Sequence, residues 1–134
     1  METYKDKDVV IMKLLPEDLD NPQPTMNELE RQLKEEFERK FVADLSNLDS
    51  IYSIQIGTLV SMHVMCYENV AVMKLAGANK KIRDLLRMVG LEAMMEMHHG
   101  AAVAAQSFGA PTGNAPKLVA EPQKRQKPGP AKQN

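Results

Sequence analysis

Short apolar runs and helix-like stripes alternate along the first hundred residues, and this alternation restricts the possible folds more than any other feature. Three runs rich in β-branched or aromatic residues, at 9–12, 41–45 and 70–75, predict strands. Between and after them, apolar residues recur at spacings of three and four, the period of a helix with one buried face. Strands that alternate with helices favour a mostly parallel sheet covered by helices.

The first helix is predicted over residues 25–38. Thr25 stands three residues before Glu28, the spacing of a capping box in which each side chain bonds the other's backbone N–H. The helix then carries an apolar stripe of Met26, Leu29, Leu33 and Phe37. We therefore expect a helix that begins at Thr25 and buries this stripe.

Two further helices follow. The second should start between Tyr52 and Ile54 and end at 68–69, because Asn at 69 tolerates the conformation usual just past a helix end. The third has a good N-cap residue in Asn79 and is closed by Gly90. Residues 91–98 fit either a short helix or a last strand.

Together these elements predict one α/β domain. Residues 8–98 should form a sheet of four or five strands, mostly parallel, backed by three or four helices. Its core should contain one set of aliphatic side chains from every predicted element: Met26, Leu29, Leu33, Val42, Leu59, Val72, Leu86 and Leu91.

The C-terminal part of the chain differs in composition. Residues 1–100 carry 12 Lys/Arg and 17 Asp/Glu, whereas residues 101–134 carry five basic residues, one acidic residue and five of the eight prolines. Such a segment buries too little apolar surface to offset the entropy of ordering it. We expect a domain over 1–100 and a flexible tail over 101–134, although 101–108 could extend the domain as a marginal helix.

The basic tail could also contact nucleic acid or an acidic partner. It lacks interleaved aromatic residues and has a small net charge, so a solubilising linker is the preferred interpretation and no nucleic-acid partner is expected. The N-terminus does not resemble a secretory signal, no apolar run reaches the ~18–20 residues of a membrane span, and there is one cysteine. These features indicate a cytoplasmic protein.

Catalytic motifs are scarce. Glycine-rich phosphate loops, nucleophile elbows and His-Glu-x-x-His patterns are absent from the sequence. Cys66 and His63 lie three apart on the second predicted helix and could form a thiol–imidazole pair or two metal ligands. A buried small thiol beside a core histidine is the preferred interpretation, and the adjacent His98 and His99 are too few for a metal site. We therefore expect no enzyme activity, no metal and no cofactor.

Two segments resemble a known family. DLSNL at 44–48, followed by IYSIQIGTLV at 51–60, resembles the STAS signature, in which a strand ending Asp-Leu-Ser leads through a short turn to Asp-Ser-Ser-Gly-Leu-Gly at a helix start. The spacing matches without a gap. LAGAN at 75–79, with the helix after it and the Gly-Leu pair at 90–91, is similar to the family's closing strand, helix and turn. The resemblance covers about residues 8–98.

The resemblance implies a binding role. STAS domains in bacteria act as anti-sigma factor antagonists, as stressosome subunits, or as partners in lipid-transport and anion-transport assemblies. In the first two, a partner kinase commonly phosphorylates a Ser or Thr at the start of the second helix, where a charge of about −2 alters a docking surface. The favoured expectation is a regulator that binds an anti-sigma factor or kinase-like protein. A structural subunit of a stressosome-like assembly or of an ABC-type transporter complex is the alternative.

The chain departs from the family at this helix start. Tyr52 replaces the Asp, Ser53 keeps the first Ser, Ile54 replaces the usual phospho-acceptor and Gln55 replaces the Gly. Ile cannot accept a phosphate, so Ser53 or Thr58 would have to substitute as the acceptor. For Ser53 a helix N-cap is the simpler role. The residues predicted to bind the partner are Tyr52, Ser53, Ile54, Gln55 and Thr58.

Overall fold

The computed structural model describes residues 1–109 of the chain. Five strands form one sheet in the order of the sequence: β1 (Glu2–Asp6), β2 (Val9–Lys13), β3 (Lys40–Asp44), β4 (Val72–Ala76) and β5 (Met97–His98). β2, β3, β4 and β5 run parallel, and β1 pairs antiparallel with β2. The mostly parallel sheet expected from the alternation is confirmed. The tail expected at 101–134 lies outside the described residues from position 110 onward.

Helices connect the parallel strands. α1 (Pro16–Asp20) and α2 (Gln23–Lys34) lead from β2 to β3, α3 (Ser53–Glu68) from β3 to β4, and α4 (Lys80–Met88) with a 3-10 turn (Leu91–Ala93) from β4 to β5. Right-handed crossovers between strands added in one direction place all their helices on the same face of the sheet. One core cluster joins residues of these helices to Val10, Phe41, Ala43 and Met73 of the strands, in agreement with that placement.

A further helix, α5 (Ala101–Gly109), covers the opposite face of the sheet. Ala104 and Ala105 pack against Val9, Ile11 and Val42 in a second core cluster. The described structure therefore contains a helix packed on the sheet just after the boundary expected at 99–100. The structure contains the helix that was the alternative prediction for 101–108. Its small alanines let it lie close to an apolar face of the sheet.

Strand β1 has no counterpart among the predicted elements. It lies at the sheet edge and its sequence, ETYKD, is polar or charged at most positions, so it carries no apolar alternation. The hairpin to β2 turns at Lys7, whose φ is 58°. Backbone hydrogen bonds to β2 stabilise this edge strand. Such bonds leave no periodic pattern in the sequence, so the strand could not be predicted from it.

Most predicted helix boundaries agree with the structure, but the capping box does not. α2 begins at Gln23, so Thr25 lies inside the helix, is 1% exposed and donates its hydroxyl to the carbonyl of Asp18 at 2.8 Å. Glu28 instead pairs with Arg31. The N-cap predicted at Asn79 is present, since its Oδ1 accepts the N–H of Ile82 at 2.9 Å.

Six of the eight residues predicted for the core are buried: Leu29, Leu33, Val42, Leu59, Leu86 and Leu91. Met26 is partly buried against the same cluster. Val72 is 54% exposed because it begins β4, and the third strand starts there rather than at 70. Phe37 is 73% exposed because α2 ends at Lys34 and the chain turns at Phe37 with φ 57°.

Candidate partner-binding site

The candidate site begins where β3 ends. The Oδ1 atom of Asp44 accepts the N–H of Ser46 at 3.0 Å, and the N–H of Leu45 donates to the carbonyl of Ala76 at 2.8 Å. These bonds turn the chain out of the sheet at the carboxyl ends of β3 and β4. Parallel α/β sheets commonly place their binding loops at this edge. The turn therefore presents the following loop and the start of α3 at one end of the domain.

Asn79 fixes the loop between β3 and α3. Its Nδ2 donates to the carbonyl of Asp49 at 3.0 Å, while its Oδ1 caps α4. Leu48 and Ile51 from the same loop are buried in the core. The Asn79 side chain joins two loops, and two buried residues anchor the segment in the core. The segment therefore has little freedom to move, and α3 starts from a rigid support. The sequence predicts the cap at Asn79 but not its bond to the loop.

At the start of α3, three of the predicted residues are exposed side by side. Tyr52 is the N-cap residue, and its N–H donates to Oε1 of Gln55 at 2.9 Å. The Tyr52 hydroxyl accepts from Ser50 at 3.0 Å. Ser53 is therefore the first residue of the helix rather than its cap, and its side chain is exposed together with Tyr52 (64%) and Ile54 (70%).

The other two predicted residues point inward. Gln55 is 1% exposed and its oxygen is occupied by the Tyr52 N–H. Thr58 is 5% exposed and donates its hydroxyl to the carbonyl of Leu19 in α1 at 2.8 Å. Both side chains support the helix start from below, and neither is on the surface that a partner or a kinase would meet.

The thiol and imidazole of α3 do not form a reactive pair. Cys66 is fully buried, and burial raises the pKa of its thiol to about 12. Burial also lowers the pKa of His63, which stays neutral near pH 7. Among residues 1–109, no group of three His, Cys, Asp or Glu side chains lies together as a metal site.

His98 lies next to the ion pair of Lys74 and Glu96, under α5. The Lys74 ammonium lies 3.0 Å from Oε1 of Glu96 and 2.7 Å from Oγ of Ser107, and it sits 4.2 Å from the centre of the Phe108 ring. His98 contacts the same Glu96 carboxylate at 3.0 Å. Since Lys74 is only 8% exposed, its partners compensate a charge that is nearly removed from water. This cluster holds α5 on the sheet.

Within residues 1–109 no helix is both long and apolar enough to cross a membrane.

Comparison with known proteins identifies the fold. No family model and no curated protein matches the sequence. A structure from Thermotoga maritima described as an anti-sigma factor antagonist matches with a TM-score of 0.64 at 18% identity, over 81% of this chain and 94% of that one. A structure of the stressosome, described as a signal integration and transduction hub, matches with a TM-score of 0.70 at 16% identity, over 81% and 96%. RsbS from Moorella thermoacetica, in a substituted form, matches with a TM-score of 0.70 at 14% identity, over 81% and 93%.

These likenesses span nearly the whole of each matched chain, and their identities of 14–18% establish the fold alone. The sequence pattern at 44–60 independently predicts the same architecture. The chain thus has the STAS fold that anti-sigma factor antagonists and stressosome proteins share.

Proposed function

We propose that this protein is a non-enzymatic, cytoplasmic regulator that binds another protein through the start of α3. The favoured partner is an anti-sigma factor or a kinase-like protein, because the structures with the same fold include one described as an anti-sigma factor antagonist. The docking residues are Tyr52, Ser53 and Ile54. Gln55 and Thr58 contribute by holding the helix start in place.

The observation that carries the proposal is the exposure of Tyr52 and Ile54 on a rigid helix start. Large apolar side chains in water at a helix terminus gain nothing for the isolated domain. When a partner covers them, the buried apolar area contributes roughly 25 cal/mol per Å². The loop anchored by Asn79 means that little conformational entropy is lost on binding.

In this proposal the interaction does not require a phosphate at position 54. Ile54 fills the position of the usual acceptor, and Thr58 is buried with its hydroxyl occupied. Ser53 is the one predicted acceptor that remains accessible in the described structure. A phosphate on Ser53 would sit at the N-terminus of α3, where the helix dipole favours negative charge, and would change the same surface.

The experiment is a quantitative affinity capture from extracts of the source cells, followed by calorimetry with the captured partner. Ile54→Asp places an unpaired charge in the interface and should abolish capture of the specific partner. Ser53→Ala removes only one exposed hydroxyl from the docking surface and adds no charge, so it should reduce capture far less than Ile54→Asp. Val103→Asp is the matched control, since Val103 is also an exposed apolar residue (52%) but lies on α5 across the sheet.

Capture that survives Ile54→Asp in a folded protein would exclude the start of α3 as the docking site. Loss of capture with Val103→Asp as well would show a nonspecific effect of added charge.

A structural subunit is the second candidate. It is favoured by the match to the stressosome structure, which covers 96% of that chain at a TM-score of 0.70. Copurification of a large complex with fixed stoichiometry, rather than one exchangeable partner, would favour this function. A transporter component among the captured proteins would favour the related assembly role.

A further inference from the structure

The outer face of α3 is uncharged far beyond the helix start and carries several exposed apolar side chains. In the segment SIQIGTLVSMHVMCYE no residue before Glu68 carries a charge at neutral pH, since the pKa of His63 is lowered by burial. Ile54, Val64 and Tyr67 are 70%, 41% and 64% exposed. A helix on the surface of a globular protein ordinarily turns charged residues to the solvent. Four turns without such residues indicate a face that is covered in the functional protein.

Gly57 lies at the middle of this face and supports the same conclusion. Glycine inside a helix costs about 1 kcal/mol relative to alanine. A Cβ atom at Gly57 would meet no other atom within 4 Å, so nothing in the described part of the chain requires glycine there. Because Gly57 has no side chain, the helix surface has a shallow depression there, and another backbone can approach it closely.

Charges of opposite sign flank the two sides of α3 near its start. α1 packs against α3 at the Leu19–Thr58 bond and exposes Glu17 and Asp20. α4 follows the next strand in the sheet and therefore lies on the other side, with Lys80 and Lys81 exposed in its first turn. Within residues 1–109, Glu17, Asp20 and Lys81 take part in no ion pair.

We propose that a second copy of this chain covers the face, with the two α3 helices packed in parallel about a two-fold axis that runs along them. In this arrangement the acidic α1 flank of each copy faces the basic α4 flank of the other, at the same end of the helix pair. An antiparallel pair would leave both acidic flanks on one side, so the opposite charges would not meet. The charge distribution therefore selects the parallel form.

The dimer uses the surface of the proposed function but does not depend on it. Ile54 would be covered in the dimer, so a partner that docks there must displace the second copy. Self-association thus sets the protein concentration range in which the docking site is free.

The test is sedimentation equilibrium of the purified protein, residues 1–134, and of five variants. Gly57→Leu fills the shallow depression and should shift the protein to monomer. Its circular dichroism spectrum should stay unchanged, which shows that the variant still folds. Lys81→Glu and Glu17→Lys each bring like charges together twice per dimer, and each should weaken dimerisation about tenfold. The double variant Glu17→Lys, Lys81→Glu restores opposite charges across the interface and should dimerise like the wild type.

Lys7→Glu at the β1–β2 turn is the control charge reversal and should leave the dimer unchanged. A wild-type protein that stays monomeric at millimolar concentration would overturn the proposal. A dimer that persists in Gly57→Leu would show that the α3 face is not the interface. A double variant that dimerises as weakly as the single variants would contradict the parallel orientation. The capture experiment with Ile54→Asp is run at protein concentrations below the dissociation constant of the dimer, so that it tests partner binding separately.

Discussion

A Cβ atom placed on Gly77 would lie 2.6 Å from Oδ1 of Asp44, closer than non-bonded atoms approach each other. Gly77 has a left-handed conformation, with φ 77°. It is the first residue after β4, and Asp44 is the last residue of the neighbouring strand β3. The Asp44 oxygen cannot move away freely because it accepts the Ser46 N–H that turns the chain toward the docking loop. The contact therefore joins the ends of two strands and sets the direction of the candidate site.

Gly77→Ala should lower the free energy of unfolding by about 2–4 kcal/mol, measured by urea denaturation. About 1–2 kcal/mol comes from the left-handed backbone and the rest from the clash with Asp44. Gly90→Ala is the control, since Gly90 has φ 88° but its Cβ would meet no atom within 4 Å. It should cost only the backbone term. Equal losses for the two variants would contradict a role for the Asp44 contact.

Thr58→Val should destabilise the protein by about 1–3 kcal/mol, because the Leu19 carbonyl would lose the buried hydroxyl that donates to it. Ser61→Ala removes a hydroxyl from the exposed side of the same helix and should stay within about 0.5 kcal/mol of the wild type. Thermal or urea unfolding of both variants measures the difference. A Thr58→Val protein as stable as Ser61→Ala would show that the bond to α1 contributes little.

Lys74→Ala should loosen α5 without unfolding the sheet. The substitution removes the ammonium that contacts Ser107, Glu96 and the Phe108 ring. Hydrogen exchange of the α5 amides should accelerate at least tenfold while β3 keeps its protection. Lys34→Ala, which removes an exposed helix lysine paired with Glu30, should leave α5 unchanged. Unaltered exchange in Lys74→Ala would mean that alanine packing alone holds the helix.

Cys66 should be inert in the native protein at pH 8. Its pKa of about 12 leaves a thiolate fraction on the order of 10⁻⁴, and the sulfur is buried. A thiol reagent should label less than a tenth of the protein in the time that labels denatured protein fully, and denaturation should release one reactive thiol. Rapid labelling of native protein would reveal opening of the core around α3.

The sequence by itself determined the order and type of the main elements and the likeness to the STAS signature. The apolar runs that became β2, β3 and β4, and the stripes of α3 and α4, are long enough for local periodicity to identify them. The cap at Asn79 was also predictable, because it depends on residues three apart in the chain. Such features arise from interactions between near neighbours.

The tertiary structure alone decided which side chains of the candidate site face a partner. Gln55 and Thr58 read as surface residues of a helix start, yet one bonds the backbone of Tyr52 and the other reaches a carbonyl in α1. α1 is 39 positions away from Thr58 along the chain, and no local pattern reports such a contact. α5 is likewise stabilised by packing on strands that are distant from it in sequence. β1 is a polar edge strand, and its ladder with β2 stabilises it without an apolar pattern of its own. Burial depends on what packs opposite a residue, and that is fixed only when the whole sheet and its helices assemble.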